Sequence, residues 1–250
     1  MRTCININNG WLFSKEDLPE YASHDFPRTN ADTINIPHTW NQFDGQDGGN
    51  NYFRGGCWYQ KRLSLPDIGN DKELYIEFGA VNSVADVYIN GKKLSSHAGG
   101  YSGFRVNISE FAGMKDVLLC VRADNSDNPD VYPRTADYTF YGGIYRDVTL
   151  CMVHKTHFAM NEYGSSGIFV HAESANSCAE IRIESHVENP KAGLLVEYTI
   201  LTQDGETIAK LQTEWCKSSV MLQVQNPHLW NGRKDPYLYR LHATLIDPQN

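Results

Sequence analysis

The stretch from Ala136 to Val148, ADYTFYGGIYRDV, sets one carboxylate, Asp137, among four aromatic side chains and ahead of a glycine pair. A carboxylate accepts two hydroxyl hydrogen bonds, and aromatic faces cover C–H surfaces. That pairing suits a ligand that presents hydroxyls on one side and C–H groups on another. Asp137 also has a plainer reading, as a turn residue that accepts backbone N–H groups ahead of a strand. Tyr138, Phe140 and Tyr141 are candidate walls for a ring, or else residues buried between domains. Gly142 and Gly143 let the chain turn sharply into IYRDV. Arg146 and Asp147 are adjacent on an expected strand and face opposite sides, so they read as structural ion-pair formers and not as a catalytic couple.

Other chemistry-bearing residues are weaker. The glycine-rich loop DGQDGGNNYFRGG, residues 44–56, lacks the GK[ST] ending of a phosphate loop, and a strand follows it where a helix would be needed. In HKTH, His154 and His157 are three apart in an extended segment and face opposite sides, so one ion could not easily take both. Six cysteines are scattered without a CxxC pair, which predicts reduced, mostly buried thiols. His38 and Trp40 in IPHTWN read as structural, Trp40 buried near an interface and His38 satisfying backbone groups. His97, Tyr101 and Phe104 in HAGGYSGF read as scaffold around a tight turn.

Charge and hydropathy narrow the classes further. With 22 Lys plus Arg against 30 Asp plus Glu, the 250-residue chain carries a net charge of -8 and repels phosphate backbones, so nucleic acid is not an expected partner. The most apolar run, DVLLCV, is too short to span a bilayer, and MRTCININNG has no apolar signal core. No membrane partner is expected, and the expected location is the cytoplasm unless a leader precedes this sequence.

The elements that would position these residues are strands. CWYQKRLSL (57–65), ELYIEFG (73–79), VADVYING (84–91), VLLCVRA (117–123) and YRDVTLCMV (145–153) are short, β-branched or aromatic, and separated by turn residues. They predict an antiparallel β-sandwich. Asn90-Gly91 between VYI and KKL predicts a type I′ hairpin. A second strand set runs from GIFVHAES to YLYRLHATLID and suits an immunoglobulin-like sandwich lacking the usual disulfide. HKTHFAMNEYG separates the sets, giving expected domains at 1–156 and 157–250. Because YLYRLHATLID ends at Asp247, the second sandwich is expected to stop one strand short of closing its sheet.

Eight motifs in order resemble glycoside hydrolase family 2, the β-galactosidase, β-glucuronidase and β-mannosidase family. They are NNGWLFSKED, IPHTWN, GCWYQKRL, DVYINGKKL, HAGGYSGFRVNIS, VRADN, DYTFYGGIYRDVTL, and NPHLWN with DPYLYRL. The resemblance covers nearly the whole chain. It implies an all-β fold, a jelly-roll sugar-binding domain followed by an immunoglobulin-like β-sandwich. A (β/α)₈ barrel with two catalytic glutamates would come next. A retaining glycosidase holds two carboxylates roughly 5 Å apart, and no pair here can be assigned to those roles. The chain by itself is therefore expected to carry no catalytic residue and to hydrolyse nothing.

In this frame Asp137 aligns with the acid that the family places on a first-domain loop at the barrel mouth, where it binds sugar hydroxyls. In some β-galactosidases that acid also holds a sodium ion. Tyr138 and Tyr141 would join it as substrate-binding residues. Arg54 and Asn51, on the loop before the GxxWY strand, are further candidate sugar contacts, against the alternative of a plain surface loop. The resemblance implies no cofactor in this chain and a Na+ or Mg2+ ion in the full-length enzyme. Expected partners are a β-glycoside, with β-galactosides first, and the downstream barrel of the same chain; an oligomer is also compatible. Two rivals stand beside this reading: an independent carbohydrate-binding module, and a structural or oligomerisation region without a ligand.

Overall fold

In the computed structural model, residues 2–26, 30–44, 52–175, 177–217 and 219–248 are described. The chain divides into two compact units, Met1–His154 and Lys155–Asn250. No described helix is long and apolar enough to cross a membrane.

Among the described residues the first unit contains ten strands: β1 (Thr3–Asn6), β2 (Trp11–Ser14), β3 (Asp32–Ile34), β4 (Gly56–Leu63), β5 (Lys72–Phe78), β6 (Val84–Ile89), β7 (Lys92–Ala98), β8 (Phe104–Asn107), β9 (Val117–Asp124) and β10 (Val148–His154). They form a four-stranded sheet ordered β1-β10-β5-β8 and a six-stranded sheet ordered β3-β2-β4-β9-β6-β7. All the strand pairings are antiparallel. The main core draws on both sheets, with Tyr59, Val87, Leu119 and Val121 from one and Leu74, Ile76, Phe78 and Leu150 from the other. This is the sandwich that the short strand runs predict.

Strands β4 and β9 depart from simple alternation. Cys57 and Tyr59 join the main core, while Trp58 on the opposite face packs with Tyr21, Phe26, Leu118 and Cys120 in a second cluster. The segment carrying Tyr21 and Phe26 covers the outer face of the sheet, so these central strands are buried on both sides and read as continuous apolar runs. Gln60, buried within β4, ties the cover down. Its Oε1 accepts the Phe26 N–H at 2.9 Å, and its Nε2 donates to the Tyr21 and His24 carbonyls at 2.7 and 2.6 Å.

The expected hairpin is present: Ile89 pairs with Lys92, and Asn90 and Gly91 between them have φ of 48° and 83°. The expected strand over 145–153 is shorter at its start, since β10 begins at Val148. Tyr145, Arg146 and Asp147 are held by other contacts instead. Arg146 Nη1 donates to the Tyr101 carbonyl at 3.2 Å, and Asp147 Oδ1 accepts from Asn8 Nδ2 at 2.8 Å. Neither forms an ion pair among the described residues, contrary to the pairing expected for them.

The second unit holds β11 (His157–Phe158), β12 (Ile168–Ala175), β13 (Cys178–Ser185), β14 (Val187–Glu188), β15 (Leu195–Leu201), β16 (Thr207–Glu214), β17 (Val220–Gln225) and β18 (Arg240–Ile246). Sheets ordered β12-β13-β17 and β16-β15-β18 carry its core, with Ile183 and Leu222 from the first and Val196, Tyr198 and Ile200 from the second. A hydrogen bond of 2.5 Å between Ser185 and the Tyr198 hydroxyl links the two sheets. His154 and His157 lie in different units. His154 Nδ1 is 3.7 Å from Asp71, while His157 Nδ1 contacts the Lys155 carbonyl and its Nε2 is 3.5 Å from Glu188.

Candidate functional site

The segment from Asn125 to Val148 connects β9 to β10 and contains the acid-bearing stretch. Its second part is fixed by three buried asparagines. Asn125 Nδ2 donates to Asn41 Oδ1 at 3.2 Å and to the Phe140 carbonyl at 3.1 Å, and its Oδ1 accepts the Gly55 N–H at 3.0 Å. Asn41 Oδ1 in turn accepts the Gly142 N–H at 2.7 Å, while its Nδ2 reaches Asp44 and the Phe53 carbonyl. Asn82 Nδ2 donates to the Tyr141 carbonyl at 2.7 Å, and the Asn82 and Gly143 backbones exchange two further bonds. Buried amides of this kind are stable only when their donors and acceptors are matched, and here they match backbone groups that no sheet would otherwise satisfy.

The glycine pair is required by packing. A Cβ on Gly142 would stand 2.0 Å from Trp40 Cζ2, and one on Gly143, where φ is +134°, would stand 2.4 Å from the His38 carbonyl oxygen. Trp40 belongs to the core of the first unit itself, stacked on Phe13 at 6.0 Å. His38 satisfies a side chain where backbone groups were expected: its Nδ1 meets the Tyr59 hydroxyl at 2.8 Å. Burial holds the His38 imidazole below its ordinary pKa, with Asp32 opposing that shift and Lys15 adding to it.

The first part of the segment stands in solvent. Residues 134–138 are all exposed, Asp137 included. Among the described residues the Asp137 carboxylate accepts no backbone N–H, so the turn-cap reading lacks the bond that defines it. Tyr138 is half exposed and packs edge-on against Phe140 at 5.3 Å. Burial, followed by the neighbouring Tyr138, pushes the Tyr101 phenol up to about 12. Tyr141 is 40% exposed, so its ring is available while its carbonyl is held by Asn82. Phe140 is half-buried and lines the cavity described below.

Arg54 lies across the same region. Its Nε donates to the Asn125 carbonyl at 3.0 Å, and its guanidinium sits 5.8 Å from the rings of both Tyr52 and Phe140. Its Nη atoms make no hydrogen bond among the described residues. Asn51, the other candidate on that loop, lies outside the described residues. Arg54, Tyr101, Asn125, Tyr132, Arg134 and Phe140 contribute to a cavity of about 20 Å³ whose lining also includes Asn82. A space of that size holds roughly one water, whereas pockets that enclose a small ligand measure about 300 Å³ or more. The cavity is therefore an open hollow lined by two arginines, Arg54 and Arg134, one acid, Asp127, and two exposed tyrosines, Tyr101 and Tyr132, and the exposed Asp137, Tyr138 and Tyr141 lie outside its lining.

Of the residues expected at the site, the structure places Arg54 in the cavity lining, while Tyr138 packs on Phe140 and Asp137, Tyr138 and Tyr141 stand outside that lining. Tyr101, read as scaffold from the sequence, instead forms part of the lining and is 49% exposed. His97 and Phe104 do act as scaffold, their rings stacked at 4.3 Å. The three asparagines were not singled out by the sequence reading, although Asn41 ends IPHTWN and Asn125 ends VRADN; their signal was an amide at the margin of an apolar motif. As to a cation, Asp137 belongs to no group of three clustered His, Cys, Asp or Glu ligand atoms among the described residues. Hard cations take six or more oxygens. One exposed carboxylate does not by itself make a fitting site.

The sequence profile of the glycosyl hydrolases family 2 sugar binding domain matches residues 5–154, and a second profile, glycosyl hydrolases family 2, matches residues 166–250. The chain belongs to glycosyl hydrolase family 2. It is 33% identical to a β-glucuronidase of Bacteroides fragilis, over 98% of this chain and 35% of that protein. It is 30% identical to a β-galactosidase of Thermoanaerobacter pseudethanolicus, over 98% of this chain and 33% of that protein. The crystal structure of a Bacteroides uniformis β-glucuronidase superposes with a TM-score of 0.83 at 31% identity, covering all of this chain and 31% of the other. The chain spans about a third of the length of these relatives.

Proposed function

We propose that this chain is the noncatalytic N-terminal region of a retaining β-glycosidase, and that its first unit contributes the Asp137 rim to a sugar site completed by a downstream catalytic barrel. The observation that carries the reading is the exposed Asp137 carboxylate. It accepts no backbone N–H among the described residues, and it stands next to a loop half that a buried amide network holds in place. An acid whose task was to cap a turn would be bonded to that turn. A rim with a cavity of about 20 Å³ suits one wall of a larger site better than an independent sugar-binding module, which would need to enclose the ring itself.

The substrate proposed first is a β-galactoside. A β-glucuronide is the second reading, favoured by the names of two of the relatives above. Asp137→Asn in the full-length enzyme tests the role of the rim. Loss of a charge-assisted bond to a hydroxyl, about 1.5 to 3 kcal/mol, predicts a fall in kcat/KM of one to two orders of magnitude with melting temperature unchanged. Running the assay on nitrophenyl β-galactoside and β-glucuronide in parallel separates the two substrates. Unchanged kcat/KM on whichever is turned over would reduce Asp137 to a surface residue.

A further inference from the structure

Cys4 on β1 and Cys151 on β10 are directly opposed in the antiparallel register, and their Sγ atoms are 3.1 Å apart. No part of the sugar rim uses them. Directly opposed residues of an antiparallel pair have Cα atoms about 4.5 to 5.5 Å apart, inside the 4.4 to 6.8 Å range that a disulfide spans. Among the described residues no other two cysteines are in contact: Cys57 and Cys120 are buried separately, and Cys178 and Cys216 stand in the second unit. The pair is also asymmetric. Cys4 is exposed on the outermost strand of its sheet, and Cys151 is buried beneath it. The Arg2 guanidinium reaches Cys151 Sγ at 3.6 Å and is itself held by Glu77 at 2.5 Å, which sets a positive charge beside the two sulfurs.

We propose that Cys4 and Cys151 form a reversible dithiol–disulfide site, oxidised by a low-molecular-weight disulfide of the glutathione type, that ties β1 covalently to β10. Cys4, as the accessible thiol, loses its proton to solvent and attacks one sulfur of the oxidant. A mixed disulfide forms on Cys4 and one thiolate departs, taking up a proton. Burial pushes the Cys151 thiol up to about 11, so it acts second, when the mixed disulfide has been placed against it. Its proton goes to the departing second thiolate as the Cys4–Cys151 bond closes. In balance, two protein thiols are oxidised by two electrons and one small disulfide is reduced to two thiols.

The cross-link would act where β1 is otherwise held only by its pairing. β1 contributes four exposed residues, and among the described residues its sole neighbour in the sheet is β10. The chain just beyond it fixes the start of β10: the Ile7 N–H donates to the Val148 carbonyl, and the Val148 N–H donates to Asn8 Oδ1, both at 2.9 Å. Stapling Cys4 to Cys151 therefore secures the exit of the segment that carries the sugar rim.

The test incubates the full-length protein with oxidised glutathione or with dithiothreitol, then maps unreduced peptides and records melting. The expected result is one linked Cys4–Cys151 peptide, about 2 Da lighter than the sum of its reduced parts. Melting should rise by at least about 4 °C on oxidation and return with dithiothreitol. The rise should vanish in Cys4→Ser, an exposed and conservative change, and persist in Cys216→Ser. A map showing Cys4 unreacted or halted at the mixed disulfide, or an equal melting rise in Cys4→Ser, overturns the proposal.

Discussion

Residues 134–138 and 139–144 are consecutive in the chain and opposite in physical character. The earlier stretch is exposed throughout, and its backbone makes no hydrogen bond among the described residues. The later one threads two buried glycines between Trp40 and the His38 carbonyl and has five backbone groups held by Asn41, Asn82 and Asn125. Position is thus set by one stretch, while the other displays its side chains to solvent. Exposed groups with few partners contribute little to stability, while loss of a matched buried amide leaves several groups unsatisfied. Substitutions in the two stretches should therefore fall on different measurements.

Gly143→Ala should give the largest effect. The added Cβ meets backbone, which cannot swing aside, at a φ that side chains rarely adopt. A loss of about 3 kcal/mol or more is expected, read as a melting temperature lower by roughly 6 to 12 °C. Asn125→Ala comes next: the Gly55 N–H and the Phe140 carbonyl would lose their partner, at a cost of about 2 kcal/mol in denaturant titration. A smaller, pH-dependent effect belongs to His38. Its pKa is depressed in the folded state, so the unfolded chain binds this proton more readily. Stability present above the unfolded value of about 6.5 is then lost progressively as pH falls below it. Melting should decline between pH 7 and pH 5, and His38→Gln should flatten that decline. The smallest change in stability is expected from Asp137→Ala, within about 0.5 kcal/mol, because no cap bond is removed. A loss near 1 kcal/mol would restore the turn-cap reading and blur the contrast between the two stretches.

The sheets were largely legible because period-two patterning and turn residues are local signals. DVYINGKKL carries its own hairpin in the Asn-Gly pair, and the structure places both residues at positive φ. Where long-range contacts decide, the sequence was less readable. Tyr145–Asp147 have strand-like composition, yet Arg146 and Asp147 bond to Tyr101 and Asn8, 45 and 139 residues away, and the strand begins only at Val148. Tyr101 looked like scaffold because a glycine-rich neighbourhood suggests a turn and says nothing about which aromatic the turn displays. The asparagine network was hidden for the same reason. Asn41, Asn82 and Asn125 are distant in sequence, and amides in loops are ordinary until the fold closes water out around them.

The placement of β1 has a consequence for how the chain reaches this structure during synthesis. Cys4 and Cys151, which face each other across β1 and β10, are 147 residues apart. At 5 to 20 residues per second, the first strand made waits roughly 7 to 30 s before its partner exists. Closing so long a loop is entropically slow compared with forming the β6–β7 hairpin, whose turn is two residues. Until β10 emerges, β5 lacks a neighbour on one edge and the apolar side chains of β4, β5 and β9 have no complete sandwich to enter, which is the condition in which nascent chains meet chaperones. The last strand of the first unit is therefore its latch, and a ribosome that stalls before residue 148 leaves an open sheet.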